Sequence, residues 1–186
     1  MILTGLSITE EFNNKRININ PFNPDHVTTN SYDLTLGSEF LRYTGRVLDP
    51  RKENPHEIFE VGEEGLLLNQ GEFVLGHSAE EIGSDHYVPI IHAKSSTARL
   101  GLFVHVTADL IDIGSHGNVT FQLYSTLPVR IHPGMRIGQA SFWKPKGEIE
   151  LYDGKYQSSK GPRASEVHKD FKLDNCLLYT SDAADE

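Results

Sequence analysis

Two cations and three hydroxyl groups lie within six consecutive residues of this sequence. The segment Lys94-Ser95-Ser96-Thr97-Ala98-Arg99 directly follows an apolar stretch that ends at Ala93. Hydroxyl and guanidinium groups bind phosphate oxygens through charge-assisted hydrogen bonds, and an arginine can do so with two parallel bonds. A solvent-exposed turn has a similar composition. The segment alone therefore indicates either a phosphate-binding turn or an ordinary polar turn.

A second polar group follows at Asp112 and Gln122. Asp112 lies two residues before Gly114, a spacing that also suits an Asx-type turn. The stretch 118–124 alternates apolar and polar residues, as a strand with one buried face does. Val119, Phe121 and Leu123 would share one face, and Thr120, Gln122 and Tyr124 the other. We therefore expect the Gln122 amide to point away from the apolar layer.

The sequence argues against zinc chemistry. Zinc deaminases hold their metal with an H-x-E motif and a P-C-x-x-C motif. This chain has one cysteine, Cys176, and nine histidines that include no pair at the i, i+4 spacing of a helical metal site. We predict no zinc and no metal held by protein ligands. If the protein activates a water molecule for a reaction, a carboxylate would have to do so.

The elements that must position these residues are mostly strands. Ser7 and Glu10 have the spacing of a capping box for a short N-terminal helix that runs to about Asn14. Further along, strands are predicted at 31–37, 39–43, 65–68, 72–75, 87–93, 102–107, 118–124, 129–131 and 139–143. Many short strands without intervening helices indicate a sandwich, a jelly roll or a barrel. The stretch 49–64 is predicted to be a surface excursion, and 147–175 an arm or lid.

Composition limits the classes of function. The chain has 186 residues and a formal net charge of -9, which argues against a general nucleic-acid or membrane-surface binder because such proteins carry a broad basic face. No apolar run is long enough to span a bilayer, and the N-terminus lacks the pattern of a signal peptide. We expect a single cytoplasmic domain at 1–175. Residues 176–186 resemble a translated sequencing adapter and are predicted to be an artefact tail.

Three motifs in order resemble those of the dCTP deaminase family, which shares its fold with trimeric dUTPases. They are SYDLTLG at 31–37, the long block at 94–142, and GKYQSSKGP at 154–162. The resemblance implies a mostly β protein with a distorted β jelly roll, or β-clip, of dUTPase-like type, a short N-terminal helix and a flexible C-terminal arm. It also implies a homotrimer with active sites at the subunit interfaces, and a Mg²⁺ ion carried by the triphosphate of dCTP or dUTP.

The same resemblance implies roles for individual residues. The phosphates would be held, and the water oriented, by Lys94, Ser95, Ser96 and Arg99, within a binding turn that includes Thr97 and Ala98. Sugar and base would meet the backbone around Ala108, together with Asp112, Thr120, Phe121 and Gln122. The residues that close over the nucleotide would be Gln139, Tyr152, Lys155 and Ser159. Catalysis would involve Ser95, Arg99, Asp112 and the position of Gln122.

Gln122 is the departure that matters most, because deaminases of this family carry a catalytic glutamate at that position. Glutamine cannot accept a proton at useful pH, and general acid–base catalysis contributes about 10²- to 10⁴-fold in rate. A second departure is Ser159, where many members have glutamine. Three hypotheses stay open: a deaminase that converts dCTP and water to dUTP and ammonia and is impaired by Gln122, a dUTP pyrophosphatase that uses Asp112, and a catalytically silent dCTP- or dUTP-binding protein.

Overall fold

The computed structural model describes residues 1–105 and 107–171, and in this range the protein is mostly β. The short N-terminal helix and the preponderance of strands predicted from the sequence are confirmed. Within these residues no helix has the length and apolar character needed to cross a bilayer. The tail predicted at 176–186 lies outside the described residues.

Before residue 168 the described residues form two α-helices, one 3₁₀ turn and eleven strands, and residues 168–171 are also helical. The α-helices are α1 (Gly5–Asn13) and α2 (Ser95–Ala98), and the 3₁₀ turn is at Pro24–His26. The first strands are β1 (Asn18–Asn20), β2 (Tyr32–Thr35), β3 (Glu39–Tyr43), β4 (His56–Glu60), β5 (Leu66–Leu68) and β6 (Phe73–Gly83). The later strands are β7 (Val88–Ala93), β8 (Leu102–Phe103), β9 (His116–Ser125), β10 (Val129–Ile131) and β11 (Arg136–Trp143).

These strands form three antiparallel sheets. The largest has six strands in the order β4-β3-β6-β9-β8, with β1 also paired to β6. A second sheet has the order β2-β11-β7, and a third contains only β10 and β5. The three sheets enclose one apolar cluster that includes Tyr32 of β2, Phe40 of β3, Phe121 of β9 and Phe142 of β11, each with 0% of its surface exposed. This arrangement agrees with the predicted jelly-roll or β-clip architecture.

Strand β6 is bent by a change of register with β9. The pairing shifts between His77 and Glu81, so the backbone groups near the shift need other partners. Ser78 supplies them: its hydroxyl donates to the Glu80 carbonyl at 2.6 Å and accepts the Val119 amide at 2.8 Å. The Asn118 side-chain amide donates to the Ser78 and Glu80 carbonyls at 3.0 and 3.1 Å. The bend is therefore fixed by polar side chains that the two strands themselves provide.

The predicted capping box is wrong. The helix begins at Gly5, three residues earlier than the box requires, and its N-cap is Thr4, which makes no side-chain cap hydrogen bond. Ser7 thus lies inside the first turn, where its hydroxyl accepts a hydrogen bond from the Thr4 hydroxyl at 3.3 Å. The spacing of Ser7 and Glu10 matches the motif, but the helix already begins on the N-terminal side of Ser7.

The predicted surface excursion at 49–64 is wrong in part, because it contains strand β4. This strand pairs with β3 at the outer edge of the six-stranded sheet. Four of its five side chains are exposed, including Ile58 at 56%, and Phe59 is half-buried. An edge strand with so little buried apolar surface does not show the alternation that predicts a strand from sequence.

The burial of Leu41 gives a direct test of the sheet arrangement. Leu41 lies opposite Ile58 in the β3–β4 register, yet it is 1% exposed where Ile58 is 56% exposed. We expect Leu41→Ala to lower the free energy of unfolding by about 2–5 kcal/mol because it leaves a cavity. The matched variant Ile58→Ala should change it by less than about 1 kcal/mol. Urea unfolding followed by fluorescence measures both, and equal losses would contradict the assigned edge.

Candidate functional site

A cavity of about 720 Å³ opens between strands β6 and β9, the segment after β8, and the C-terminal arm. Its floor is apolar and includes Leu75 and Ile82 of β6 and Ile111. Its polar lining comes mainly from one face of β9. A mostly apolar cavity with a few convergent polar groups is the usual form of a small-molecule site.

Strand β9 divides its side chains between the core and the cavity. Val119, Phe121 and Leu123 are buried in the core, and Thr120 and Gln122 line the cavity. The face assignment predicted from alternation is therefore confirmed for these five residues. Because the Phe121 side chain is fully buried, only its backbone is available to a ligand.

The arm lies along the start of β9 and covers one side of the cavity. Gly117 forms a parallel bridge with Ser159, and the Asn118 amide donates to the Ser159 carbonyl at 2.9 Å. A Cβ atom at Gly117 would stand 2.6 Å from the Ser159 nitrogen, and the φ of +138° there also favours glycine. Further along, the Arg163 amide donates to the Thr120 hydroxyl at 3.0 Å. The arm is thus fastened to the strand that carries Gln122.

Within one chain, the predicted phosphate-binding turn is not part of this cavity. Residues 95–98 form the short helix α2 at the end of β7, in the three-stranded sheet, and none of the described residues at 94–99 lines the cavity. Ser95, Ser96 and Arg99 are exposed, whereas Thr97 is buried. The protomer therefore presents the two predicted parts of the site on different sheets.

Lys94 and Gln139 face partners inside the protein. The Lys94 ammonium lies 2.5 Å from Oδ2 of Asp33, whose side chain is 2% exposed, and the Arg136 guanidinium lies 3.3 Å from the same oxygen. Gln139, on β11, accepts a hydrogen bond from the Ser31 hydroxyl at 3.4 Å. Lys94 is thus part of an ion pair that joins β7 to β2, and its charge is largely balanced by Asp33.

The other predicted site residues are distributed around the cavity rim. Ala108 and Ser159 line the cavity, but Asp112, Tyr152 and Lys155 do not. Asp112 is exposed, and its backbone carbonyl accepts the Ser115 amide at 3.0 Å in a backbone turn, whereas an Asx turn would use its side chain. The Lys155 ammonium lies 2.6 Å from both Asp170 carboxylate oxygens, and this contact raises the pKa of Lys155 above its ordinary value.

Sequence reasoning missed several residues of the cavity wall. These are His105, Thr107, His116, Asn118, Tyr124, Tyr156 and Arg163. The alternation of β9 already placed Tyr124 on the Thr120 face, and by the same period it contains the signal for Asn118. A lone histidine on an apolar segment is more often an ordinary core residue, so residue type and spacing do not predict that His105 lines the cavity.

The His105 side chain is half-buried, and one of its ring nitrogens is enclosed by protein. Its Nδ1 is inaccessible to solvent and has no hydrogen-bond partner among the described residues. The ring meets Phe121 edge-on at a centroid distance of 6.5 Å. Burial lowers the pKa of His105, and the nearby backbone of Ala108 and Val104 and the Asp109 carboxylate offset only part of this effect. The ring is therefore neutral near pH 7.

The described residues contain no group of three or more His, Cys, Asp or Glu side chains arranged to hold a metal ion. The described cavity lining also contains no Asp or Glu. The exposed groups at residues 95–99 are hydroxyls and a guanidinium, which donate hydrogen bonds to anions. The chemistry of these residues fits a phosphate chain better than a bare cation.

Comparison with known proteins places this architecture in one family. A family described as dCTP deaminase-like matches residues 2–145. A protein named "dCTP deaminase, dUMP-forming" from Clostridium beijerinckii is 39% identical over 173 residues, which cover 92% of this chain and 99% of the relative. The protein of the same name from Hathewaya histolytica is 41% identical over 173 residues, which cover 92% and 100% of the two chains.

A solved structure supports the fold. The 2'-deoxycytidine 5'-triphosphate deaminase from Agrobacterium tumefaciens superposes with a TM-score of 0.61 at 22% sequence identity. The match covers 76% of this chain and 47% of that chain, so this chain spans about half of that protein. At this identity the likeness concerns the fold alone.

The ion pair of Lys94 should matter for stability. In Lys94→Met the buried Asp33 carboxylate keeps only the more distant Arg136, and breaking a buried pair from one side is costly. We expect the free energy of unfolding to fall by about 3 kcal/mol. Arg99→Met removes an exposed cation and should change it by less than about 0.5 kcal/mol. Urea unfolding without nucleotide measures both, and similar values for the two variants would contradict the assignment.

His105 should make stability depend on pH. Because its pKa is lowered in the folded state, the unfolded chain takes up a proton first as pH falls through about 6.5, and stability is lost in that range. The wild-type protein should therefore lose more stability between about pH 7.5 and 5.5 than His105→Asn does. Urea midpoints at the two pH values measure the difference, and parallel losses would show that the ring is not desolvated.

Proposed function

Because this chain belongs to the dCTP deaminase-like family, we propose that it is an enzyme that acts on dCTP and removes the C4 amino group. The cavity of the protomer is the proposed pyrimidine site. The observation that carries the proposal is the position of Gln122, whose amide lies on the cavity face of β9 above an apolar floor. An amide offers one acceptor and one donor group, as recognition of a pyrimidine edge requires.

The proposed product is dUMP. The two curated relatives described above are named as dUMP-forming, so in those proteins deamination is coupled to loss of two phosphates. For this chain the first step would convert dCTP and water to dUTP and ammonia. The second would convert dUTP and water to dUMP and pyrophosphate. Asp112, beside the cavity, is the proposed holder of the second water.

We propose that a neighbouring protomer completes the site. The α2 groups Ser95, Ser96 and Arg99 are exposed and do not line the cavity of their own chain. In a homotrimer, this exposed turn of one protomer would hold the triphosphate while the β9 cavity of the next holds the nucleoside. The arrangement explains why phosphate-binding chemistry and the pyrimidine slot occupy different sheets of one chain.

The triphosphate would bring its own Mg²⁺ ion. The hydrogen-bond donors at residues 95–99 suit phosphate oxygens. The ion would therefore be held by the substrate together with water. When bound, Mg²⁺ neutralises charge on the phosphate chain and supports its cleavage. The protein's own contribution is to orient the chain through Ser95 and Ser96 and to balance its charge through Arg99.

Gln122 sets the rate of the first step. An amide cannot take a proton from the attacking water at useful pH, so the proposed deamination is slower than it would be with a carboxylate at this position. Phosphate-chain cleavage depends less on this residue, because it needs mainly positioned water and electrostatic stabilisation. Gln122 therefore also supports a second candidate function, a dUTP pyrophosphatase that acts on dUTP but not on dCTP. A third candidate is a protein that binds dCTP or dUTP without turnover.

Turnover measurements separate these candidates. We expect the purified oligomer with Mg²⁺ to release ammonia and dUMP from dCTP, and dUMP and pyrophosphate from dUTP. Gln122→Glu should raise the rate of ammonia release at least about tenfold, because it restores a general base. Ammonia assay and chromatography of the nucleotides follow both steps.

Each alternative has its own result. Turnover of dUTP without any ammonia from dCTP would favour the pyrophosphatase, and binding of dCTP without turnover would favour the silent binder. Gln122→Asn is the matched control, because it keeps the amide and adds no base. A gain with Asn equal to that with Glu would show that the effect of residue 122 is not proton transfer.

A further inference from the structure

One wall of the cavity carries a histidine that the proposed reaction does not yet use. His105 follows the short strand β8, which pairs with β9 through Leu102 with Ser125 and Phe103 with Tyr124. Beyond Phe103 the chain stays beside β9, because the Gln122 amide donates to the Val104 carbonyl at 3.0 Å. This bond holds the residue before His105 against the backbone of Gln122. His105 and Gln122 then both contribute to the cavity lining.

The His105 ring is held in place by packing, but one of its nitrogens lacks a hydrogen-bond partner among the described residues. Phe121, at 0% exposure, meets it edge-on, so a core residue supports the ring from the side away from the cavity. Its Nδ1 is buried and lacks a hydrogen-bond partner among the described residues. Because Nδ1 is enclosed by protein, a ligand in the cavity can reach the ring only at its other nitrogen, Nε2.

The choice of groups for proton transfer in this cavity is narrow. The described lining contains no Asp or Glu, and only His105 and His116 have side chains that ordinarily titrate near neutral pH. The Nε2 of His116 lies 2.8 Å from Oδ1 of Asp85, which is 53% exposed, and this pair sits where the cavity meets solvent. Of the two, His105 has no ion-pair partner among the described residues and is attached directly to the Gln122 segment.

We propose that His105 takes the part of the missing carboxylate and accepts the proton of the water that attacks C4 of cytosine. This inference rests on the proposed deaminase function. As the water oxygen bonds to C4, the C4–N3 double bond opens towards N3, one water O–H bond breaks, and its proton passes to Nε2 of His105. The protonated ring then gives this proton to the exocyclic nitrogen, the bond from C4 to that nitrogen breaks, and ammonia leaves. The N3–C4 double bond re-forms, and transfer of the remaining hydroxyl proton to N3 gives the uracil base. His105 returns to its neutral form, and the sum is dCTP plus water to dUTP plus ammonia.

The surroundings of His105 suit both halves of this cycle. Burial lowers the pKa of the ring, so the neutral form, which can accept a proton, is present at neutral pH. Asp109 contributes negative charge nearby and acts in the opposite direction, so the protonated intermediate form has some electrostatic support. A general base works best when its pKa is close to the working pH.

Removal of the base in two backgrounds tests the proposal. We expect His105→Asn to lower kcat for ammonia release from dCTP about 10²-fold, with the dCTP dissociation constant within about threefold of wild type. In the Gln122→Glu background the same change should cost less than about tenfold, because the new carboxylate takes the proton. A ring that only supports the fold would lose the same factor in both backgrounds, and that result would overturn the proposal.

The controls separate this proposal from the proposed function. His132→Asn replaces an exposed histidine in the turn before Gly134 and should leave ammonia release unchanged. His105→Gln serves as a second variant if His105→Asn unfolds, and urea midpoints confirm folding. Wild-type protein that releases ammonia from dCTP at a rate that His105→Asn leaves unchanged would overturn the role of His105 alone. Wild-type protein that turns over dUTP but releases no ammonia from dCTP would overturn the proposed deamination and this role with it. Protein that neither binds nor turns over dCTP and dUTP would overturn the proposed function and this role with it.

Discussion

The antiparallel pairing of β6 with β9 is the constraint on which the site depends. This pair lies at the centre of the largest sheet, and it fixes the faces of β9 with a period of two. A shift of one residue would move Phe121 out of the core and Gln122 into it, a change that would bury an amide and expose a phenyl ring. The same packing that stabilises the core therefore determines which side chains can reach a ligand. Chemistry and stability are coupled at adjacent residues of one strand.

The arm adds a second constraint at the start of the same strand. Its backbone pairs with Gly117 and Asn118, and its Gln157 side chain bridges the Gly114 carbonyl at 2.8 Å and the His116 amide at 2.8 Å. These bonds satisfy backbone groups that a strand end would otherwise leave to water. The cavity is thus closed on one side by main-chain contacts, which tolerate changes of side chain. This can explain how Ser159 stands where the family resemblance expects glutamine.

The parts of the fold that the sequence predicted are those in which local pattern and tertiary environment agree. Strand β9 has one core face and one cavity face, and its alternation identified both. Strand β4 buries little apolar surface, so its sequence lacks this alternation and predicts a surface excursion instead. The capping box failed for a related reason, because the spacing of Ser7 and Glu10 carries no information about the three residues before it. A local sequence pattern predicts an element well when the tertiary packing favours the same conformation.

The site was harder to predict because its parts come from distant segments. The cation and hydroxyl cluster at residues 94–99 was visible as composition, but the ion pair of Lys94 with Asp33 joins residues 61 positions apart. Neither the residue types at 94–99 nor their spacing indicates whether Lys94 contacts a phosphate or a carboxylate. His105 shows the converse case: a single histidine on an apolar strand has no sequence signature for an unpaired buried nitrogen. Only tertiary packing distinguishes it from an ordinary core histidine, because the ring lines the cavity and the fully buried Phe121 meets it edge-on.

In the proposed reaction, Gln122 and His105 would act as one electrostatic unit. A glutamate at position 122 would place a negative charge in a cavity whose described lining has no other carboxylate, and it would favour the protonated form of a nearby histidine. The neutral amide does not, so burial can keep the His105 ring neutral and able to accept a proton. The loss of one base is thus the condition under which the second can act. The residue at position 122 would therefore determine two things. It sets whether the cavity contains a carboxylate, and through this coupling it sets which group in the cavity carries the proton.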